Sequence, residues 1–118
     1  MLKRLTIQNY ALIDTLDIEF PDGLIIITGE TGAGKSILLG AISLLLGNKA
    51  EASVFNDPNK NCVVEGEFDD DTILRRVISP AGRSRSFLND EPVTLAQLSE
   101  ISNKIIDIHS QHQHLLLN

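Results

Sequence analysis

The feature that most restricts what this chain can fold into is the loop Gly29-Glu-Thr-Gly-Ala-Gly-Lys-Ser36, set between two apolar segments. Before it runs Leu24-Ile-Ile-Ile-Thr28, which lacks polar alternation and so has the pattern of a central strand covered on both faces. After it, Lys35 to Leu46 places apolar residues on every side, the pattern of a buried helix, and Gly47-Asn48 supplies a stop. Strand, glycine loop and helix in this order match G-x-x-x-x-G-K-[ST] together with the context that motif needs. Gly29, Gly32 and Gly34 let the backbone close on a phosphate. The N–H groups of the loop, including those of Glu30, Thr31 and Ala33, and the positive end of the helix then point at its oxygens. Lys35 is suited to reach the β- and γ-phosphates, and the Ser36 hydroxyl to ligate a bridging Mg²⁺. A glycine-rich turn without ligand would require neither the buried strand nor the buried helix. The motif therefore implies a bound nucleoside triphosphate with Mg²⁺, read through its phosphates only.

At 118 residues the chain is sized for one domain. With 42% hydrophobic and 22% charged residues it can bury a core, which excludes a disordered or fibrous class. The net charge of −6 repels nucleic acid overall, so contact with DNA would need a local basic patch. A single cysteine, Cys62, rules out an internal disulfide and a multi-cysteine zinc site. Polar residues interrupt Met1 to Tyr10 where a targeting segment would be apolar, and the longest apolar stretch, Ile37 to Leu46, falls short of the ~20 residues of a membrane span. No membrane association and a cytoplasmic location are expected.

The predicted architecture is α/β: a P-loop core flanked by an antiparallel β-meander. Leu5 and Ile7, then Leu16, Ile18 and Phe20, alternate with polar residues and predict an opening pair of strands. Cys62, Val64, Gly66 and Phe68 predict another strand, partly exposed. Ile73–Ile78 and Ser84–Leu88 flank Ser79-Pro80-Ala81-Gly82, read as a four-residue turn, and Asn89-Asp90 supplies a second tight turn. Thr94 and Gln97 form a capping-box pattern ahead of Leu95, Leu98 and Ile101, which predicts a helix over roughly Thr94 to Lys104. Ile105 to His109 then reads as a strand.

Hydrolysis would further require a metal-holding acid after an apolar strand and a group that orients water. Ile105-Ile106-Asp107 is the only downstream apolar run that ends in an acid, and it is short, so the chain reads as catalytically incomplete. His109, His112 and His114 lack a cysteine or a second ligand cluster, and the reading of a metal site there is set aside.

Taken together, Leu5-x-Ile7-x-Asn9-Tyr10-x-x-Ile13, the loop Thr28 to Ser36, the segment Gly82-Arg-Ser-Arg-Ser-Phe-Leu-Asn89 and the tail Asp107-Ile-His-Ser-Gln-His112 resemble RecN, a family of bacterial DNA-repair ATPases related to the SMC proteins. The resemblance covers nearly all of residues 1–118 but only the amino-terminal lobe of that family's ABC-type ATPase head. It implies Mg·ATP at residues 29–36, Asn9 near the nucleotide, and Gln111 as the Q-loop residue that touches Mg²⁺ and the hydrolytic water. Lys35 and Gln111 would then be the catalytic residues, and Ser36 and Gln111 the metal contacts. It further implies action in DNA double-strand-break repair and recombination, with the carboxy-terminal lobe of the same protein and a second head as partners. A cytoplasmic, nucleoid-associated location accompanies this. On residue chemistry alone Asn9 can equally be a turn residue between two strands.

Two departures from the family pattern stand out. Only Asp69 to Thr72 separates the strand ending at Phe68 from the next, and Ala52 to Asn56 lacks the arginine relatives place after the first helix. Four of the ten basic residues lie between Arg75 and Arg85. With a four-residue turn, Arg76 would sit opposite Arg85, a like-charge pair that an anion such as DNA phosphate would relieve. Arg75, Arg76, Arg83 and Arg85 are thus the candidate DNA contact, against the alternative of a solvated face balanced by nearby acids. Two other functions remain in view: a compact P-loop kinase or GTPase-like enzyme, and a nucleotide-gated interaction module without turnover. As a fragment the chain is expected to bind ATP and not to hydrolyse it.

Overall fold

Buried side chains on one face of a six-stranded antiparallel sheet build the core. The computed structural model describes residues 2–20, 32–50 and 54–106, with backbone only at 32–36, 70 and 106. The elements in chain order are β1 (Leu2–Tyr10), β2 (Ile13–Glu19), α1 (Gly32–Leu45), β3 (Cys62–Phe68), β4 (Ile73–Ile78), β5 (Ser84–Leu88), β6 (Glu91–Val93) and α2 (Leu95–Ile106), with a 3-10 turn at Asp69–Asp71. The strands lie in the order β2-β1-β3-β4-β5-β6, and each neighbouring pair is antiparallel.

Leu5 and Ile7 of β1, Val64 and Phe68 of β3 and Leu74 of β4 are buried on one face, and Ile42 and Leu45 of α1 and Leu98 of α2 join them in one cluster. Burying each such side chain contributes about 1.5–3 kcal/mol, so the sheet and helices stand or fall together. The predicted hairpin over residues 5–20, the strand at Cys62–Phe68 and the two strands after it are all present. Asn89 and Asp90 form the second tight turn with φ of 50° and 70°, and the Asn89 side chain accepts a hydrogen bond from Ile73 N at 2.8 Å. The capping box is also formed: Gln97 N donates to Thr94 Oγ1 at 3.0 Å, and Thr94 N donates to Gln97 Oε1 at 2.9 Å.

Two expectations need correction. The turn between β4 and β5 contains five residues, not four. Ser79 N donates to Arg83 O at 2.8 Å, Gly82 N to Ser79 O at 2.9 Å, and Arg83 N to Ser79 Oγ at 3.1 Å, while Gly82 takes φ +90°. Ile78 therefore pairs with Ser84, and Arg76 lies opposite Ser86 rather than Arg85. The second correction concerns α2, which continues through Ile106, so Ile105 and Ile106 are helical and not the start of a strand. Ile105 packs against the core cluster, and that apolar contact accompanies the extension of the helix by two residues. The strand expected at Leu24–Thr28 and residues 107–109 lie outside the described residues.

Candidate nucleotide site and the supports of its helix

The phosphate-loop motif runs directly into α1. Helical backbone begins at Gly32, inside the motif, so Gly32, Ala33 and Gly34 occupy the first turn, where backbone N–H groups have no carbonyl partner within the helix, and Lys35 and Ser36 follow directly. Gly29, Glu30, Thr31 and Gln111 lie outside the described residues, as do Asp107, His109, His112 and His114. What the structure shows in side-chain detail is how the rest of this helix is held.

The carboxyl end of α1 stops where the sequence predicts it. Gly47 takes φ +94°, Gly47 N donates to Leu44 O and Asn48 N donates to Ser43 O, each at 3.1 Å. This glycine-terminated arrangement satisfies the last carbonyls of the helix. Arg76 of β4 completes the cap from the sheet: Nη1 donates to Leu44 O at 2.9 Å and also to Asn48 O, and Nε donates to Ser84 Oγ at 3.0 Å. Arg76 is only 3% exposed, and its burial lowers the guanidinium pKa from its ordinary value. The cation sits against the negative end of the helix dipole, which offsets part of the cost of burying it.

A second support comes from the first hairpin. Tyr10 lies over α1 at Gly40, where the place of an added Cβ would be 2.0 Å from the Tyr10 hydroxyl oxygen, so only glycine admits this approach. Asn9, buried and at φ 55°, donates from Nδ2 to the carbonyls of Asp57 and Lys60, both at 2.9 Å, and accepts from Asp57 N through Oδ1. Ala11 N donates to Val54 O at 2.6 Å. The segment linking α1 to β3 is thus tied to the hairpin. Both amide hydrogens of Asn9 are committed to this link.

The arginines expected to form one patch are divided between two faces. Arg76 is inward and engaged with α1. Arg75, one residue earlier, is on the opposite face, 3.1 Å from Asp90 and 3.6 Å from Glu65, and its guanidinium carbon lies 4.6 Å from the Phe87 ring centre. Arg83 and Arg85 are exposed at the β4–β5 end. Strand alternation separates Arg75 from Arg76, and the five-residue turn places Arg85, opposite Val77, on the face of Arg75 rather than that of Arg76. The capping role of Arg76 had no local signal in the sequence: Arg75 and Arg76 are adjacent and chemically alike, and only their strand parity separates them. Among the described residues no group of three or more His, Cys, Asp or Glu side chains is placed to hold a metal, and no helix is long and apolar enough to cross a membrane.

With this geometry in place, comparison with known proteins is informative. Residues 4–116 match the family described as AAA domain. Proteins named DNA repair protein RecN from Vibrio cholerae serotype O1 and Bacillus subtilis are 38% and 37% identical to this chain over 97% and 99% of its length, and one from Synechocystis sp. is 42% identical over 96%. The chain spans about a quarter of the length of these curated relatives, 24%, 24% and 23% respectively. Among solved structures, a chain from work on ATP-driven dimerization and DNA-stimulated activation of SMC ATPases aligns with a TM-score of 0.71 at 21% identity, covering 98% of this chain and 96% of that one. The SMC head domain from Thermotoga maritima aligns with a TM-score of 0.67 at 24% identity, covering 85% of this chain and 41% of that one. These two likenesses are of fold. The matched stretch takes in the phosphate loop, α1 and every strand that grips it, and on that ground the chain belongs to the AAA-domain family, has the SMC-type head fold, and counts RecN proteins among its relatives.

Proposed function

We propose that this chain is the nucleotide-binding lobe of a RecN-like ATPase acting in DNA double-strand-break repair and recombination. The observation that carries the reading is the complete motif Gly29–Ser36 entering α1 at Gly32, in a chain 35–42% identical to RecN proteins over nearly its whole length. In this reading Mg·ATP lies on the N–H groups of residues 29–36, Lys35 supports the β- and γ-phosphates, and Ser36 holds Mg²⁺. Gln111 reaches the metal and the hydrolytic water. Asn9 serves the nucleotide site by holding the chain after α1 in place.

Phosphoryl transfer needs a second metal-holding acid and a group that positions water. The proposal assigns these to the carboxy-terminal lobe of the same protein and places the working site between two heads that close over ATP. Binding and release of nucleotide then change conformation rather than modify a substrate. DNA is the partner on which such a machine acts, which places the protein in the cytoplasm on the nucleoid. The register found for β4 and β5 separates Arg76 from Arg85 and leaves Arg83 and Arg85 at the exposed end of the hairpin.

Isothermal titration with Mg·ATP tests the reading. Lys35→Ala is expected to weaken binding roughly 10–100-fold, the scale of one charge-assisted contact, without changing the far-ultraviolet circular dichroism. Equal ATP affinity in a folded Lys35→Ala protein would overturn the assignment.

A further inference from the structure

A cleft of about 590 Å³ opens at the carboxyl end of α1, the end remote from the phosphate loop. Arg76, Lys49, Phe55, Pro58, Pro80 and Leu95 are among its lining residues. In a chain of net charge −6, the described residues lining this cleft include two cations and no carboxylate.

Arg76 is the informative member. Nε is used by Ser84 and Nη1 by Leu44 and Asn48, while Nη2 has no hydrogen-bond partner among the described residues. No fully buried side-chain nitrogen is left without a partner there, so Nη2 must meet solvent, and the solvent it meets is that of the cleft. A guanidinium held by three bonds, lining a cleft with one N–H pair uncommitted among the described residues, is preorganised for an oxyanion. The negative end of α1 cancels about half a charge at this point. Lys49 on the rim restores the positive balance, and exposed Arg83 stands between the lining residues Gly82 and Ser84.

The lining also includes the apolar residues Phe55, Pro58, Pro80 and Leu95, the last 40% exposed. A phosphate alone would leave these wet. The volume falls in the ~300–1,000 Å³ range of small-ligand sites, enough for a phosphate together with one base. A duplex keeps its bases stacked inside and offers such a cleft phosphate without a base face. A single strand offers both. We propose that this cleft binds one nucleotide unit of single-stranded DNA, with its phosphate on Arg76 Nη2 and Lys49 and its base against Phe55, Pro58 and Pro80. The choice of DNA rests on the function proposed above; the phosphate-plus-base chemistry rests on the cleft.

The test is fluorescence anisotropy of a fluorescein-labelled oligothymidylate of about eight nucleotides, a length within the usual single-strand site sizes. It is titrated with the 118-residue protein at saturating Mg·ATP across a range of salt concentrations. Lys49→Glu is expected to lower affinity about fivefold near 0.1 M salt and to reduce the log–log salt slope by about 0.7, the value for one lost phosphate contact. Its ATP affinity should equal that of the parent, so failure here is distinguishable from failure of the phosphate-loop assignment. Arg76→Met, where folded, should lower oligonucleotide affinity more than tenfold; if it does not fold, Lys49→Glu decides. Equal affinity and slope for Lys49→Glu and the parent, or tighter binding of a flush-ended duplex than of the single strand, would overturn the proposal.

Discussion

Arg76 Nη1 lies 2.9 Å from the carbonyl oxygen of Leu44, which joins the middle of the sheet to the last turn of the helix that begins in the phosphate loop. The same nitrogen reaches Asn48 O, beyond the helix stop. One buried guanidinium thereby fixes the far end of α1, and the position of the near end follows because the helix is a stiff rod between them.

Removing that cap should be costly. Arg76→Met deletes the bonds to Leu44, Asn48 and Ser84 and leaves polar groups buried, so urea denaturation is expected to show a loss of about 2–4 kcal/mol. Arg76→Lys keeps the charge without the fork and should recover only part of this. A loss below about 1 kcal/mol for the methionine variant would show that the cap is not a principal support.

Asn9 offers a similar test with a backbone component. Asn9→Ala loses the pairings with Asp57 and Lys60 and places alanine at φ 55°, so a destabilisation of roughly 2–3 kcal/mol is expected by chemical denaturation. Asn9→Gly tolerates that φ and should be less destabilising by roughly 1 kcal/mol. Identical losses for the two would indicate that the left-handed conformation costs alanine nothing here.

Cys62 provides a pH prediction. Burial pushes its thiol up to about 11, with the nearby Arg76 charge opposing that shift only in part. A free thiol titrates near 8.5. Between these values the unfolded chain loses its proton and the native chain retains it, so unfolding free energy should fall as pH rises from about 8.5 toward 11. Iodoacetamide at pH 9 should correspondingly label the urea-unfolded protein quickly and the native protein slowly. Equal labelling rates in the two states would contradict the burial.

Catalytic incompleteness is checked by phosphate release. If, as proposed, Lys35 and Ser36 bind Mg·ATP and the second metal-holding acid comes from the other lobe, turnover by the 118-residue protein should remain near the uncatalysed rate even when the site is filled. Adding the carboxy-terminal lobe should restore it. ATPase-like turnover by this chain alone, lost in Lys35→Ala, would favour a compact P-loop enzyme instead.

Signals confined to a few neighbouring residues were legible in advance. The stop at Gly47, the capping box of Thr94 and Gln97, the turn at Asn89-Asp90 and the alternation along β3 each depend on contacts a few residues apart or on one residue's allowed φ. The end of α2 was misjudged because Ile105 is held by the core, a contact between parts of the chain distant in sequence. Asn9 stood open between turn and site for a related reason: its partners, Asp57 and Lys60, lie about fifty residues away.

The sequence by itself determined that residues 29–36 carry the phosphate-loop motif ahead of a helix, a motif in which close backbone approach calls for glycine and charge and metal contact call for lysine and serine. Only the tertiary structure decided what the neighbouring arginines do. Arg75 and Arg76 are adjacent and chemically alike; the packing of Leu74 and Ile78 on the core turns Arg76, on their face, inward to α1 and leaves Arg75 beside Glu65 and Asp90, while a turn of five residues rather than four keeps Arg85 off the face of Arg76. The physical reason is the two-residue repeat of a strand: the side a residue faces depends on register, and register is settled by the whole sheet packing on its core.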